Sequence, residues 1–228
     1  MKLLIDSANI EEIKKIYEFY PIDGVTCNPT ILLKEGEDPY KLLKEIRTFI
    51  GKEAQLHVQV VSLNADEMVK EGHKIQELLG KNTYIKVPVI PEGLKAIRQL
   101  AQEGANVTGT AIYNQMQGFL AGKAGAKYVA PYVNRIDNLG YNGISVTKQI
   151  HAMLKRAGLE TEILAASFKN SHQVLELCEY GAGAATIAFD VMNTLIKSDV
   201  ITSAVTAFVE DFEKLCGNEA TMLTCNKK

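Results

Sequence analysis

The sequence predicts an α/β protein folded as a single (β/α)8 TIM barrel with an extra C-terminal helix. Three observations lead there. Short apolar runs alternate with longer amphipathic stretches almost from end to end of the 228 residues, which implies a parallel sheet with right-handed crossovers. Eight strand-like runs can be counted, and eight units in a chain of this length give roughly the shortest barrel the fold usually permits. The turn after the first run, "LIDSANIEE", lacks the glycines that a doubly wound open sheet would carry there. The barrel is expected over residues 1–198, with the helix and tail over 199–228, as one domain.

In order, the strand-like runs are "KLLID", "GVT", "QLHVQVV", "TYIKVPV", "NVTGT", "KYVAPYV", "EILAAS" and "AATIAF". Helical periodicity marks "NIEEIKKIYEF", "NADEMVKEGHKIQELLG", "PEGLKAIRQLAQEG", "YNQMQGFLAGKAG", "GISVTKQIHAMLKRAG" and "SHQVLELCEYGAG". Asn64 or Asp66 can cap one helix and Pro91 can open another, while Gly80, Gly104, Gly158 and Gly181 follow helical stretches. The closing "SDVITSAVTAFVEDFEKLCGNEATMLTCNKK" reads as an amphipathic helix covering the barrel, then a frayed polar tail.

Composition excludes several function classes. A formal net charge of −2 and the absence of Trp argue against a nucleic-acid binder, which would carry a basic excess and stacking aromatics. No apolar run approaches the roughly 20 residues of a membrane span. "MKLLIDS" meets Asp6 too soon for a signal sequence, so a cytoplasmic location is expected. Cys27, Cys178, Cys216 and Cys225 have neither metal-ligand nor CxxC spacing, and reduced thiols are the expectation. Neither a metal nor another cofactor is expected.

The polar residues fall where a barrel would use them, at the C-terminal ends of strands. These are Asp6, then Thr26 and Asn28, Gln59, Lys86, Thr110, Tyr132 and Arg135, and finally Ser167 and Lys169. Parity sharpens the assignment. In "TYIKVPV" Tyr84, Lys86 and Pro88 share one face, and Ile85, Val87 and Val89 share the other. The aliphatic face suits the helix layer, which sends Lys86 inward. Gln55, His57 and Gln59 oppose Leu56, Val58 and Val60 in the same way, and His57 is expected to be a hydrogen-bonded barrel histidine rather than a partner for Cys27. A closed barrel has no edge strand on which Lys86 could snorkel to water.

An inward lysine has a chemical use. Desolvation disfavours an ammonium and frees the amine lone pair to attack a carbonyl, giving a Schiff base that weakens the adjacent carbon–carbon bond. The seventh unit, "AASFKNSHQV", leaves its strand through Ser167 and Lys169 and starts a helix near Asn170 or Ser171, a place that attracts phosphate. Arg135 can add a bidentate contact. A solvated Lys169 beside an ordinary cap explains the local sequence as well, but the pairing with Lys86 makes a phosphosugar attractive.

"GVTCNPT", "IKVPVIPEGLKAI", "GTAIY", "AGAKYVAPYVNRID" and "LAASFK" resemble the transaldolase family over nearly the whole chain, specifically its short branch that contains fructose-6-phosphate aldolases. The resemblance implies a Schiff-base lysine at Lys86, with Asp6, Asn28, Thr110 and Ser167 lining the site and Arg135, Ser167 and Lys169 on the phosphate. It also implies a homo-oligomer, a ring-forming decamer in the family, acting in carbohydrate metabolism around the pentose phosphate pathway. Expected ligands are sugar phosphates and dihydroxyacetone. Family transaldolases carry Glu near the end of strand three and Phe after strand six, whereas the aldolase branch carries Gln and Tyr. Gln59 and Tyr132 therefore point to the aldolase, with Tyr132 relaying protons and Gln59 holding a water. The alternatives are a transaldolase moving a dihydroxyacetone unit between sugar phosphates, and a non-catalytic sugar-phosphate-binding barrel. Cys27 and Thr30 depart from the "TTNPS"-like signature, and Cys27 on the rim is expected to be open to oxidation. Thr108 stands where the aldolases are often aliphatic, which would change the pocket's shape.

Overall fold

A computed structural model describes residues 1–225. Asn226, Lys227 and Lys228, the end of the tail expected to fray, lie outside the described residues. Within the unit Met1–Met192, eight parallel strands close in sequence order, β1 pairing with both β2 and β8. They are β1 (Lys2–Asp6), β2 (Gly24–Thr26), β3 (Gln55–Gln59), β4 (Thr83–Pro88), β5 (Val107–Ile112), β6 (Tyr128–Pro131), β7 (Glu162–Ala165) and β8 (Ala184–Ile187). All eight expected strands are present. The barrel and its alternating helices are therefore confirmed.

Helices form where the chain offers caps. Asn64 accepts from the N–H of Glu67 and starts α4 (Ala65–Leu79), Pro91 opens α5 (Pro91–Gln102), and Asn170 starts α9 (Ser171–Tyr180). After β2 the chain makes two helices, α2 (Pro29–Glu35) and α3 (Pro39–Ile50), which the periodicity reading passed over. Their signals are Asn28–Pro29 and Asp38–Pro39, each a capping side chain followed by proline in the first turn. A short helix, α7 (Val133–Asn138), likewise follows β6 ahead of α8 (Gly143–Arg156).

Side-chain alternation matches the parity argument. Leu4, Tyr128, Leu164 and Ala184 come from strands on different sides of the barrel and pack together with Tyr84, which only inward side chains can do. On the other face Ile85 and Val87 are fully buried, and Gly109 faces α6 (Gln115–Lys123), where a Cβ would lie 2.9 Å from that of Ala121. Above the inner cluster sits a polar layer. His57 stacks on Tyr84 at 4.4 Å, its Nδ1 lies 3.0 Å from Thr108 Oγ1, and its Nε2 lies 3.2 Å from Gln55 Oε1. Gln55 Nε2 donates in turn to Tyr128 Oη at 3.2 Å. Thr108 is thus a partner of His57 with 0% exposure, spent on the interior rather than shaping an open pocket.

A second unit begins at Asn193 and contains α11 (Asp199–Cys216). Here the structure corrects the expectation of reduced thiols. The residues after α11 turn back and bring Cys216 and Cys225 to a Cα–Cα distance of 5.6 Å, where a disulfide joins them. Cys27 and Cys178 are free.

Complete burial, reinforced by the charges of Lys86, Lys2 and Arg47, holds His57 well below the usual imidazole value of 6.5. A histidine with a depressed folded-state pKa binds its proton more readily when unfolded, so its stabilising share is complete above pH 6.5 and is lost as pH falls below it. Urea melts should therefore show stability declining from about pH 6.5 to 5, before the carboxylates titrate. His57→Gln should flatten that decline, leaving the smaller slope due to half-buried His151, whose pKa is also lowered by burial. An unchanged slope would contradict the assignment.

Candidate active site

The expected residues stand at or just beyond the C-terminal ends of their strands. Lys86 is 4% exposed, and its Nζ donates to the main-chain carbonyl of Cys27 at 2.9 Å. Register places it between Gln59 of β3 and Thr108 of β5. A buried amine with a single neutral acceptor is an unusual arrangement, since burying a charged group is costly without a partner. Beside it, Asp6 accepts from Thr26 Oγ1 at 2.6 Å, and Thr26 Oγ1 also lies 2.6 Å from Thr186 Oγ1. Asp6 is thereby held as a hydrogen-bond acceptor on the inner face of β1.

Across the rim, Thr110 Oγ1 lies 3.0 Å from Tyr132 Oη. The backbone that aims Thr110 is irregular. Between Gly109 and Ile112 the β5–β6 register gains an extra residue, and Ala111 adopts φ 56°, in the left-handed region that side chains disfavour. Gln59 contributes an amide oxygen that is buried and has no hydrogen-bond partner. A buried acceptor left in that state carries a desolvation cost that a hydrogen bond would offset. A cavity of about 680 Å³ beside Gln59 belongs to the helix layer, lined by Pro29, Leu32, Leu43, Val58 and Ile75 among others, and Lys86, Asp6 and Tyr132 are not in its lining.

Arg135 stands on α7, the short helix that follows β6. Its guanidinium lies 4.8 Å from the centroid of the Tyr132 ring, and its Nη1 donates to Tyr113 Oη at 3.3 Å. That hydrogen bond, more than the charges of Tyr113, Tyr132 and Asp6, raises its pKa. Tyr113 also meets Tyr132 edge to face at 5.6 Å. The sequence reading missed Tyr113, although it closes "GTAIY" at the same strand end as Thr110. Ser167 has φ 62°, and its carbonyl accepts from the N–H of Asn134 at 2.8 Å, next to Arg135. Lys169 is exposed. Asn28 spends its side-chain oxygen on the N–H of Ile31, at 3.1 Å, as the cap of α2.

Cys27 is not the oxidisable thiol that its place on the rim suggested. It is fully buried, donates to the carbonyl of His57 at 3.5 Å, and burial pushes its thiol up to about 12, with Lys86 lowering it and Asp6 raising it. The thiolate that oxidants attack is therefore disfavoured. Among the described residues no three His, Cys, Asp or Glu side chains are grouped to hold a metal, and no helix is long and apolar enough to cross a membrane.

Comparison with known proteins identifies the family. A probable fructose-6-phosphate aldolase of Streptococcus pneumoniae is 42% identical over 213 residues, 93% of this chain and 96% of that protein. A probable transaldolase of Thermodesulfovibrio yellowstonii is 40% identical over 215 residues, 94% of this chain and 99% of that protein. A probable transaldolase of Clostridium perfringens is 37% identical over 214 residues, 94% of this chain and 98% of that protein. The family model described as Transaldolase/Fructose-6-phosphate aldolase matches residues 3–227. The chain therefore belongs to that family and is an enzyme of aldolase or transaldolase type.

Proposed function

We propose that the protein is a Schiff-base aldolase that reversibly cleaves fructose 6-phosphate to dihydroxyacetone and glyceraldehyde 3-phosphate. The observation that carries this is Lys86, a buried amine on the inner rim whose one acceptor is a main-chain carbonyl. Leaving Cys27, its Nζ adds to the C2 carbonyl, and loss of water gives an iminium. A base takes the C4 hydroxyl proton, the C3–C4 bond breaks, and its electrons flow to the iminium nitrogen, leaving an enamine and glyceraldehyde 3-phosphate. Protonation at C3 and hydrolysis then release dihydroxyacetone and restore the amine.

Tyr132 carries the protons, steadied by Thr110 and relayed by a water that Gln59 Oε1 accepts from. Asp6, already accepting from Thr26, binds the dihydroxyacetone hydroxyls with Asn28, and is the other candidate for the C4 base. Arg135, Ser167 and Lys169 hold the phosphate. Gln59 supports the aldolase over the transaldolase named for several relatives, because an amide holds water but cannot exchange a proton with it. The protein acts in the cytoplasm on carbohydrate intermediates. The apolar positions Ile201, Val205, Phe208 and Val209 of α11, at helical spacing, suit a homo-oligomer contact.

Borohydride added with fructose 6-phosphate or dihydroxyacetone should attach a reduced three-carbon unit to Lys86, read by peptide mass spectrometry. No adduct, or one on another lysine, would remove the mechanism. Tyr132→Phe should lower kcat by about 100-fold or more while leaving the adduct on Lys86. Free dihydroxyacetone should accumulate from fructose 6-phosphate without an acceptor aldehyde. Turnover that appears only with erythrose 4-phosphate would identify a transaldolase instead.

A further inference from the structure

The loop after β7 and the helix after β6 are tied together by one buried amide. Gln173 lies in the first turn of α9 and is 7% exposed. Its Oε1 accepts from the main-chain N–H of Lys169 at 2.7 Å, and its Nε2 donates to Asp137 Oδ2 at 2.7 Å. The second oxygen of Asp137 accepts from the N–H of Gly143, at the start of α8, also at 2.7 Å. Two main-chain bonds run alongside, Val133 N–H to Ala166 O at 2.9 Å and Asn134 N–H to Ser167 O at 2.8 Å.

Arg135, Ser167 and Lys169 therefore all ride on one braced unit. The bracing matters because Ser167 sits in the left-handed region, a conformation that persists only where surrounding structure enforces it. It matters also because a phosphate rewards its donors only when all reach it together, at the short distances of charge-assisted bonds. A cut in the Gln173–Asp137 link leaves the amide of buried Gln173 and one oxygen of half-buried Asp137 unpaired and frees the loop to drift away from Arg135.

We infer that Gln173 and Asp137 are positioning residues that set the separation between Arg135 and the Ser167–Lys169 loop, and so give the site its preference for phosphorylated substrates. The inference rests on the phosphate role proposed above for those three residues. Neither Gln173 nor Asp137 is among the groups proposed to touch the reacting carbons.

Gln173→Met keeps the length and burial of the side chain and removes both of its hydrogen bonds. Asp137→Asn retains an acceptor for Gly143 and serves as the second variant should the first fold poorly. Kinetics would be measured for aldol addition of dihydroxyacetone to glyceraldehyde 3-phosphate and to unphosphorylated glyceraldehyde. KM for the phosphorylated aldehyde should rise about tenfold or more in Gln173→Met and less in Asp137→Asn, with kcat nearly unchanged and KM for glyceraldehyde unmoved. An equal fall in kcat with both aldehydes, or an unmoved KM, would overturn the inference. Thermal shifts with inorganic phosphate separate this from the enzymatic reading. Phosphate should stabilise the wild type and not Gln173→Met. That difference in a wild type without aldolase turnover would strike only the proposed reaction, whereas equal stabilisation of both proteins, or none of the wild type, would overturn the positioning role.

Discussion

A lysine amine shut away from water must find an acceptor, and Lys86 finds the carbonyl of Cys27 two strands away, beyond β3. Much of the barrel's interior is arranged around that contact. The strands must close so that β4 turns Lys86 inward, and β2 must end at the height where its carbonyl is reachable. Neighbouring polar side chains must be satisfied without taking the amine themselves. Asp6 and Thr186 share Thr26, while Gln55 and Thr108 share His57. The amine is left with one weak, replaceable partner. A buried carboxylate in contact with it would have bound it far more tightly.

The surrounding helices serve placement more than chemistry. α5 starts directly beyond β4, and Gly93 there leaves no room for a side chain, since a Cβ would fall 1.8 Å from the carbonyl of Pro88. The turn above Lys86 is thus packed backbone to backbone. Two strands further round the barrel α7 brings Arg135 over Tyr132. Rigid supports of this kind let small groups act at fixed distances.

The barrel was legible because two periodicities alternate cleanly between turn residues, and the inward Lys86 followed from the two-residue period of a strand. The pair α2 and α3 was harder to read, since helical spacing between Pro29 and Ile50 is broken by Gly36 and Pro39. Polar residues were legible at strand ends and obscure on helices. Gln173 and Asp137 look like surface residues in sequence because only the fold shows which helix faces are covered. The joining of Cys216 to Cys225 depends on the chain reversing after α11, which spacing alone does not announce.

His57 has a consequence for charge along the reaction path. Because burial and the nearby lysine keep it from gaining a proton, it adds no positive charge of its own to the interior. In the proposed chemistry the amine that attacks C2 and the enamine are both neutral, and the protonated iminium between them is the positive centre that the reaction creates on Lys86. A neutral His57 leaves no second cation of its own beneath that charge when it appears.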